Sequence, residues 1–184
     1  MFEAEPIGLQ ESEWIRKASG GGLNWANNDT HIEKAFQYDI NSYYPSLMAS
    51  PMAIPVKAGI FQTLDTDPER WAYGIYRVSM SDLNPRLVMK RKNEYYTSTE
   101  IQRAIETGAT VKLIVDGKTN ALLYPSKTIV KSSFVFKKMV DRMYVRKETN
   151  TKMAKRILNN LWGALCERVR EVKYKRLGDK PIDC

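Results

Sequence analysis

A change of hydrophobic periodicity in the last third of the chain is the strongest constraint on the fold. Apolar residues recur at helical spacing within 132–146, at Phe136, Met139, Val140 and Met143. The same spacing predicts a second helix, capped by Asn150 or Thr151, whose buried face holds Met153, Ile157, Leu161 and Ala164. The short link at 147–149 makes the two helices antiparallel neighbours, so this region is predicted to be a helical hairpin.

The residues before the hairpin carry signals for strands and turns. Residues 36–40 and 73–80 are rich in aromatic and β-branched types and are predicted to be strands, and 111–115 is a third candidate. Residues 97–100 form a capping box for a helix that Gly108 ends. This order of elements predicts an α+β fold.

Composition narrows the class of protein. The net charge of +8 favours a polyanionic partner such as nucleic acid or nucleotide phosphate, but scattered surface charge on a basic protein explains it equally well. No apolar run approaches the roughly 20 residues of a membrane span, and the acidic N-terminal segment lacks the apolar region of a signal peptide. Two cysteines and one histidine make neither a disulfide framework nor a zinc site. The sequence therefore predicts an intracellular, soluble protein with no membrane partner.

A carboxylate near the start of the chain is the first candidate for chemistry. Asp39 is predicted to stand at the end of the 36–40 strand, followed by a polar turn and by an aromatic pair before Pro45. A carboxylate beside outward-pointing backbone N–H groups can hold a divalent cation together with the phosphates that it neutralises. A strand end with Asp as a turn former and tyrosines as packing residues explains the same pattern.

A second candidate lies on the second helix of the hairpin. Lys155, Asn159 and Trp162 recur at i, i+4 and i+7 and so form one stripe, next to Gly163 in mid-helix. A cation, an amide and an indole offer contacts to a phosphate, a base edge and a base face. An amphipathic helix with a solvated lysine is the alternative interpretation.

These segments resemble motifs of family-B DNA polymerases. Residues 39–46, Asp-Ile-Asn-Ser-Tyr-Tyr-Pro-Ser, resemble motif A (D-x-x-S-L-Y-P-S), and residues 155–163 resemble motif B (K-x-x-x-N-S-x-Y-G). The glycines at 20–22 resemble the Tyr-x-Gly-Gly segment of the protein-primed branch, which occurs in phages, linear plasmids and viruses. The three motifs follow the family's order and extend over roughly Gly20 to Arg168.

The resemblance implies a polymerase palm with a small antiparallel sheet and a fingers helical hairpin. It implies four segments along the chain. Residues 1–35 form a linker after a missing exonuclease domain, and residues 36–131 form the palm with an insertion. Residues 132–170 form the fingers hairpin with motif B, and residues 171–184 are a truncated C-terminal segment.

The resemblance also assigns roles to single residues. Asp39 would ligate the catalytic Mg²⁺, with the Ile40 carbonyl as a further ligand; the complete enzyme uses two ions. Tyr44 would pack under the sugar and reject a 2′-hydroxyl. The implied nucleotide-binding residues are Asn41, Ser42, Tyr43, Tyr44, Arg146, Lys155 and Asn159. The residues implied to line the base pair or the template are Trp162, Gly163, Gly21 and Gly22.

The implied function is DNA-directed DNA polymerisation from deoxynucleoside triphosphates on a DNA primer–template, in the cytoplasm of a host cell. Motif C, an Asp-Thr-Asp after motif B, has no counterpart in 171–184, and Asp65-Thr66-Asp67 precedes motif B and is interpreted as a turn. We therefore expect a fragment or split subunit with an incomplete active site, completed by a separate chain carrying motif C and the thumb, and served by a terminal protein. A polymerase-derived module that binds nucleic acid or a partner without catalysis is the alternative, and chance matches in an unrelated basic domain are a third.

Overall fold

The chain forms two compact units, each built from segments distant in sequence. The computed structural model describes residues 7–22, 34, 36–40, 42–149 and 151–165. One unit contains Met1–Gln37 and Ala53–Lys131, and the other contains Tyr38–Met52 and Ser132–Cys184. The four segments expected from the sequence concern roles in a polymerase, and they stay a prediction.

The described residues contain both helices and antiparallel strands, which confirms the α+β class. In chain order the elements are α1 (Leu9–Ala18), α2 (Tyr43–Met48), β1 (Ala53–Pro55), β2 (Ile60–Gln62), β3 (Gly74–Ser81), β4 (Tyr95–Thr97), α3 (Ser98–Glu106), β5 (Thr110–Leu113), β6 (Ala121–Leu123), β7 (Ile129–Lys131), α4 (Ser132–Thr149) and α5 (Thr151–Leu165).

Strand β3 organises the sheet of the first unit. It pairs antiparallel with β4, with β6 and with β5, and β6 also pairs with β2. Strands β1 and β7 form a separate antiparallel ribbon, with Ala53 opposite Lys131 and Pro55 opposite Ile129. The strands predicted at 73–80 and 111–115 are confirmed as β3 and β5.

The alternation of side chains along β3 explains its place in the core. Tyr76 and Val78 are fully buried in a cluster that includes Ile101 of α3, and Ile75 points into a second cluster with Trp14 of α1. Successive residues of a strand face opposite sides of the sheet, so one strand supplies both clusters. Burying a large apolar side chain contributes roughly 1.5–3 kcal/mol, which makes these two clusters the main source of stability for this unit.

The predicted capping box is confirmed. The Thr97 Oγ1 accepts a hydrogen bond from the Glu100 backbone N–H at 3.3 Å, and the Glu100 carboxylate accepts one from the Thr97 N–H at 2.9 Å. Gly108 follows the helix with φ +89, a conformation that glycine adopts at little cost. Glu100 also pairs with the Arg91 guanidinium, which donates to the Tyr95 carbonyl at 2.8 Å. The Arg91 guanidinium is therefore engaged within the fold by a carboxylate and a backbone carbonyl.

One buried amide joins three segments of the first unit. The Asn120 side chain is fully buried; it accepts from the Leu64 N–H at 2.8 Å and donates to the carbonyls of Leu64 (2.8 Å) and Ile114 (3.1 Å). A buried amide needs such partners because burial removes its hydrogen bonds to water. If no protein group replaces them, the free energy of the folded state rises. Asn120 therefore fixes the loop after β2 against the segment after β5.

The second unit contains the helical hairpin, which is also confirmed. Helices α4 and α5 pack against each other, with Val140 of α4 and Leu158 of α5 buried. The link predicted at 147–149 is wrong, because α4 continues through Thr149. Lysine and glutamate are good helix formers, so nothing in that stretch stops the helix.

The predicted buried face of α5 is displaced by one residue. Ala154 and Leu158 are buried, whereas Met153 is 60% exposed. Ile157 and Leu161 are half-buried at the edge of this face. The side chain of Ala164 and all of Asn150 lie outside the described residues. Burial follows the positions of the neighbouring helices, which the periodicity of one helix leaves undetermined.

We expect Asn120→Ala to lower the free energy of unfolding by about 2–3 kcal/mol, because the Leu64 and Ile114 backbone groups lose their buried partner. Urea unfolding followed by circular dichroism measures the change. Lys118→Ala, two residues away and exposed, is the control and should change stability by less than about 0.5 kcal/mol. Equal stability of the two variants would contradict this role for Asn120.

Candidate functional site

The segment that carries Asp39 forms neither a strand nor a helix in the described residues. Residues 36–40 are all exposed and belong to no strand, so the strand predicted there is wrong. Aromatic and β-branched residues favour strands only where a neighbouring strand completes the hydrogen bonds. Tyr38 is 90% exposed and Ile40 is 64% exposed, which leaves the Asp39 carboxylate on a solvent-facing stretch of chain.

Ser42 is the residue at which the chain turns into α2. Its backbone is left-handed, with φ 55 and ψ 40, a conformation that costs a non-glycine residue about 1 kcal/mol. The Ser42 carbonyl accepts from the Ser46 N–H at 2.9 Å, which starts the helix, but the Ser42 side chain caps none of its amides. A non-glycine residue held in this conformation marks a turn that the surrounding structure imposes.

Two tyrosines follow at the start of α2. The rings of Tyr43 and Tyr44 meet edge to face with centroids 5.6 Å apart, and each residue is close to half exposed. Pro45 and Met48 are buried on the other side of the helix. The short helix is thus anchored by one face, while its aromatic face is open to solvent.

Hydrogen bonds from the first turn of α4 hold the end of α2. The buried Ser132 hydroxyl donates to the Met48 carbonyl at 2.8 Å, and the Ser132 N–H donates to the Met52 carbonyl at 2.7 Å. The Ser133 N–H donates to the Ser50 carbonyl at 2.9 Å. Helix α2 also contacts α5. The segment with Asp39 and the segment with Lys155 therefore belong to one compact unit.

The predicted ligand-facing stripe of α5 is exposed where the structure describes it. Lys155 and Asn159 are exposed, beside the buried face of the helix that holds Ala154 and Leu158. Gly163 is exposed as well, and a side chain there would meet no atom within 4 Å. The helix surface at Gly163 is therefore free of close neighbours among the described residues.

The other predicted site residues are distributed unevenly. Arg146 is exposed near the end of α4, in the same unit as Lys155. Gly21 and Gly22 are exposed in the other unit, after α1, with open space around both. Asn41 and the side chain of Trp162 lie outside the described residues.

The donor atoms near Asp39 fit a magnesium ion in type. A carboxylate and a backbone carbonyl are the hard oxygen ligands that Mg²⁺ prefers, and both are exposed at 39–40. Within the described part of the chain, no three metal-ligating side chains gather into a group. Asp39 can thus supply one carboxylate to a metal site whose remaining ligands come from substrate, water or other residues.

The Asp67 carboxylate is hydrogen-bonded to the strand β5. It accepts from the Leu113 N–H at 2.7 Å and from Lys112 at 3.2 Å, and these bonds lower its pKa. Residues 65 and 66 form a bend between β2 and β3, as their interpretation as a turn requires.

A contact at the glycine run was missed by sequence reasoning. A Cβ added to Gly20 would lie 2.7 Å from the Arg91 guanidinium, so only glycine fits there without moving that side chain. The nearby Asn93 side chain donates to the Lys17 carbonyl at the end of α1. The capping box that places Glu100 was visible in the sequence, but no pattern linked Arg91 to the glycines.

The comparisons with known proteins point to one family. The family model described as DNA polymerase type B, organellar and viral, matches residues 8–180. No curated protein and no solved structure matches the chain significantly. No helix in the described part of the chain is both long and apolar enough to cross a membrane.

We expect Ser42→Gly to match or exceed the stability of the wild type, because glycine adopts the left-handed backbone freely. Ser42→Val should lower the free energy of unfolding by about 1–2 kcal/mol, since a β-branched residue is strained there. Thermal and urea unfolding measure the order of the variants. At Thr99, exposed in the first turn of α3, the order should invert, with glycine less stable than valine. The same order at both positions would be evidence against strain at Ser42.

Proposed function

The chain belongs to the organellar and viral type B DNA polymerases, and we propose that it supplies the nucleotide-binding part of a polymerase active site. The observation that carries the proposal is that Tyr38–Met52 and Ser132–Cys184 form one compact unit, in which α2 contacts both helices of the hairpin. The exposed Asp39 and the exposed Lys155 belong to this unit. DNA and deoxynucleotides are the substrates of such an enzyme.

Asp39 is proposed to hold magnesium together with the Ile40 carbonyl. When bound, the two ions of a complete site activate the primer 3′-hydroxyl and neutralise the leaving pyrophosphate. The role of this chain is to present one carboxylate in a solvent-facing segment where phosphate oxygens can approach it. The backbone N–H groups of 41–43 are proposed to bind the same phosphates.

The helices of the second unit are proposed to bind the rest of the nucleotide. Tyr44, with its ring close to half exposed beside that of Tyr43, packs under the sugar and leaves no space for a 2′-hydroxyl. Lys155 and Arg146 bind the triphosphate. Asn159, Trp162 and Gly163 line the nascent base pair, where the open space at Gly163 admits a flat surface. The exposed glycines Gly21 and Gly22 contact the template.

The proposal extends to how the active site is completed. We expect a second carboxylate, of the kind found in motif C, and a thumb to come from residues outside this sequence or from a separate chain. Protein priming with a terminal protein, and replication of a viral or linear element in the host cytoplasm, belong to the same proposal. Retention of Asp39, Tyr44 and Lys155 favours a catalytic role over a module that only binds nucleic acid or a partner.

Lys155→Ala should weaken binding of a magnesium–deoxynucleoside triphosphate by about 10-fold, because a charge-assisted hydrogen bond to phosphate contributes roughly 1.5–3 kcal/mol. Binding of primer–template DNA should change much less, since many cations share those contacts. Fluorescence titration with a labelled nucleotide, alongside anisotropy with labelled DNA, measures both. Lys152→Ala, exposed on the same helix, is the matched control. Equal losses in the two variants would assign Lys155 to general charge and would support the non-catalytic alternative.

Asp39→Asn should remove the magnesium dependence of nucleotide binding while leaving DNA binding intact, because only the metal site needs the carboxylate charge. Asp141→Asn, which loses an exposed carboxylate paired with Lys137 in the same unit, is the control and should keep that dependence.

We also expect no primer extension by the 184-residue chain, because two ions need more than one carboxylate. Measurable extension would show that the chain itself provides the second carboxylate.

A further inference from the structure

A cavity of about 560 Å³ opens in the first unit, apart from every residue assigned above. It lies beside β2 and β6 and the loop before β3, and its lining includes Gln62, Arg70, Trp71, Tyr73, Tyr124 and Ser126. All of these residues belong to the Ala53–Lys131 segment of one compact unit. Its volume lies within the range of about 300–1,000 Å³ that is usual for small-molecule and cofactor sites.

The aromatic walls of the cavity are held in place before any ligand binds. The Tyr73 hydroxyl donates to the Ala53 carbonyl at 2.9 Å, and the Tyr124 hydroxyl donates to the buried Glu11 carboxylate at 2.9 Å. The rings of Tyr73 and Tyr124 meet edge to face at 6.2 Å. A ligand therefore meets ordered rings and loses little free energy in arranging them.

The loop that carries Trp71 is equally well fixed. The Trp71 ring packs edge to face on the buried Tyr76, with centroids 5.0 Å apart, and the Tyr76 hydroxyl donates to the Ala72 carbonyl at 2.9 Å. The Tyr124 N–H donates to the Tyr73 carbonyl at 3.0 Å. Backbone and rings on this side of the cavity thus form one rigid wall.

The charge of the cavity suits an anionic ligand that carries a ring. Arg70 is exposed and holds the only charge among the described residues that line it. Burial raises the pKa of Tyr73, and burial followed by the contact with Glu11 raises that of Tyr124, so both phenols stay neutral at physiological pH. Gln62 and Ser126, both exposed, add hydrogen-bonding groups that can meet the edge of a base.

We propose that this cavity binds one unstacked base of single-stranded DNA, with the adjacent phosphate at Arg70. Aromatic side chains combined with a cation are the chemistry by which proteins hold single strands without sequence preference. The inference rests on the proposed function only in taking the strand as DNA. It adds to that function a further nucleic-acid contact, in the same unit as Gly21 and Gly22 and in a different unit from the nucleotide site.

The test compares two labelled oligonucleotides of equal length, an oligothymidylate and an abasic strand, by fluorescence anisotropy with the full 184-residue chain. Both carry the same phosphates, so their affinities should fall together with salt while their ratio stays constant. We expect the strand with bases to bind about 5-fold tighter or more, the range that stacking of one base provides. Equal binding of the two strands would overturn the proposal.

Variants assign the preference to the cavity. Tyr73→Leu should abolish the preference for bases, whereas Tyr73→Phe, which keeps the ring but loses the bond to Ala53, should retain it. Arg70→Ala should weaken both strands by several-fold, and Arg103→Ala, an exposed arginine on α3, should change them by less than about 2-fold. Circular dichroism and thermal melting verify that each variant is folded. A preference that persists in Tyr73→Leu would place the stacking site elsewhere and overturn the assignment.

Competition by a free nucleotide distinguishes a single-strand site in this cavity from a site for nucleotides. Free thymidine monophosphate should compete poorly with the strand; competition at equal concentration would identify a free-nucleotide site and overturn the proposal. Lys155→Ala should keep the preference for bases, because that residue belongs to the other unit. Loss of nucleotide binding in Lys155→Ala tests the nucleotide site alone, so failure of one proposal is distinguishable from failure of the other.

Discussion

The antiparallel pairing of β1 with β7 is the constraint on which the architecture depends. It joins Ala53–Pro55 to Ile129–Lys131 within the first unit. Within the second unit, the Met52 carbonyl accepts a hydrogen bond from the Ser132 N–H. Closing the long loop between β1 and β7 costs conformational entropy, which the three paired residues of the ribbon must offset. The buried bond from the Ser132 hydroxyl to Met48 reinforces the closure. Through the bonds between the end of α2 and the start of α4, two motifs far apart in the sequence belong to one compact unit.

Local signals in the sequence predicted local structure well. The capping box at 97–100, the long strand β3 and the helical hairpin each depend on residues a few positions apart, and each is confirmed. The strand expected at 36–40 is wrong because propensity cannot supply a pairing partner. Strands β1, β2, β6 and β7 have three residues each, too few to show a period, and their pairing is set by distant residues. The displaced buried face of α5 has the same origin, since neighbouring helices decide which side is covered.

In the candidate site, too, features that depend on neighbouring residues were predictable, whereas contacts between distant segments were not. Residue types and spacing predicted Asp39, Lys155 and Asn159, and all three are exposed. No pattern predicted the left-handed backbone of Ser42, because serine has no intrinsic preference for it and the helix that follows is anchored by distant residues. Nor did a pattern reveal that Arg91 lies against Gly20 or that Ser132 holds Met48, since each contact joins segments that only the folded chain brings together.

The two units differ in the exposure and hydrogen bonding of their aromatic side chains. Near Asp39, Tyr38 is 90% exposed and Tyr44 is 49% exposed. Covering such apolar surface would stabilise the protein by about 25 cal/mol for each Å² removed from water. That free energy is recovered only when something covers the surface, which suits a site that closes around substrate. In the cavity of the first unit, hydrogen bonds already order Tyr73 and Tyr124. A ligand there gains affinity from preorganisation rather than from closure. Under the two proposals, one chain combines a surface that its ligand completes with a cavity that is formed before its ligand binds.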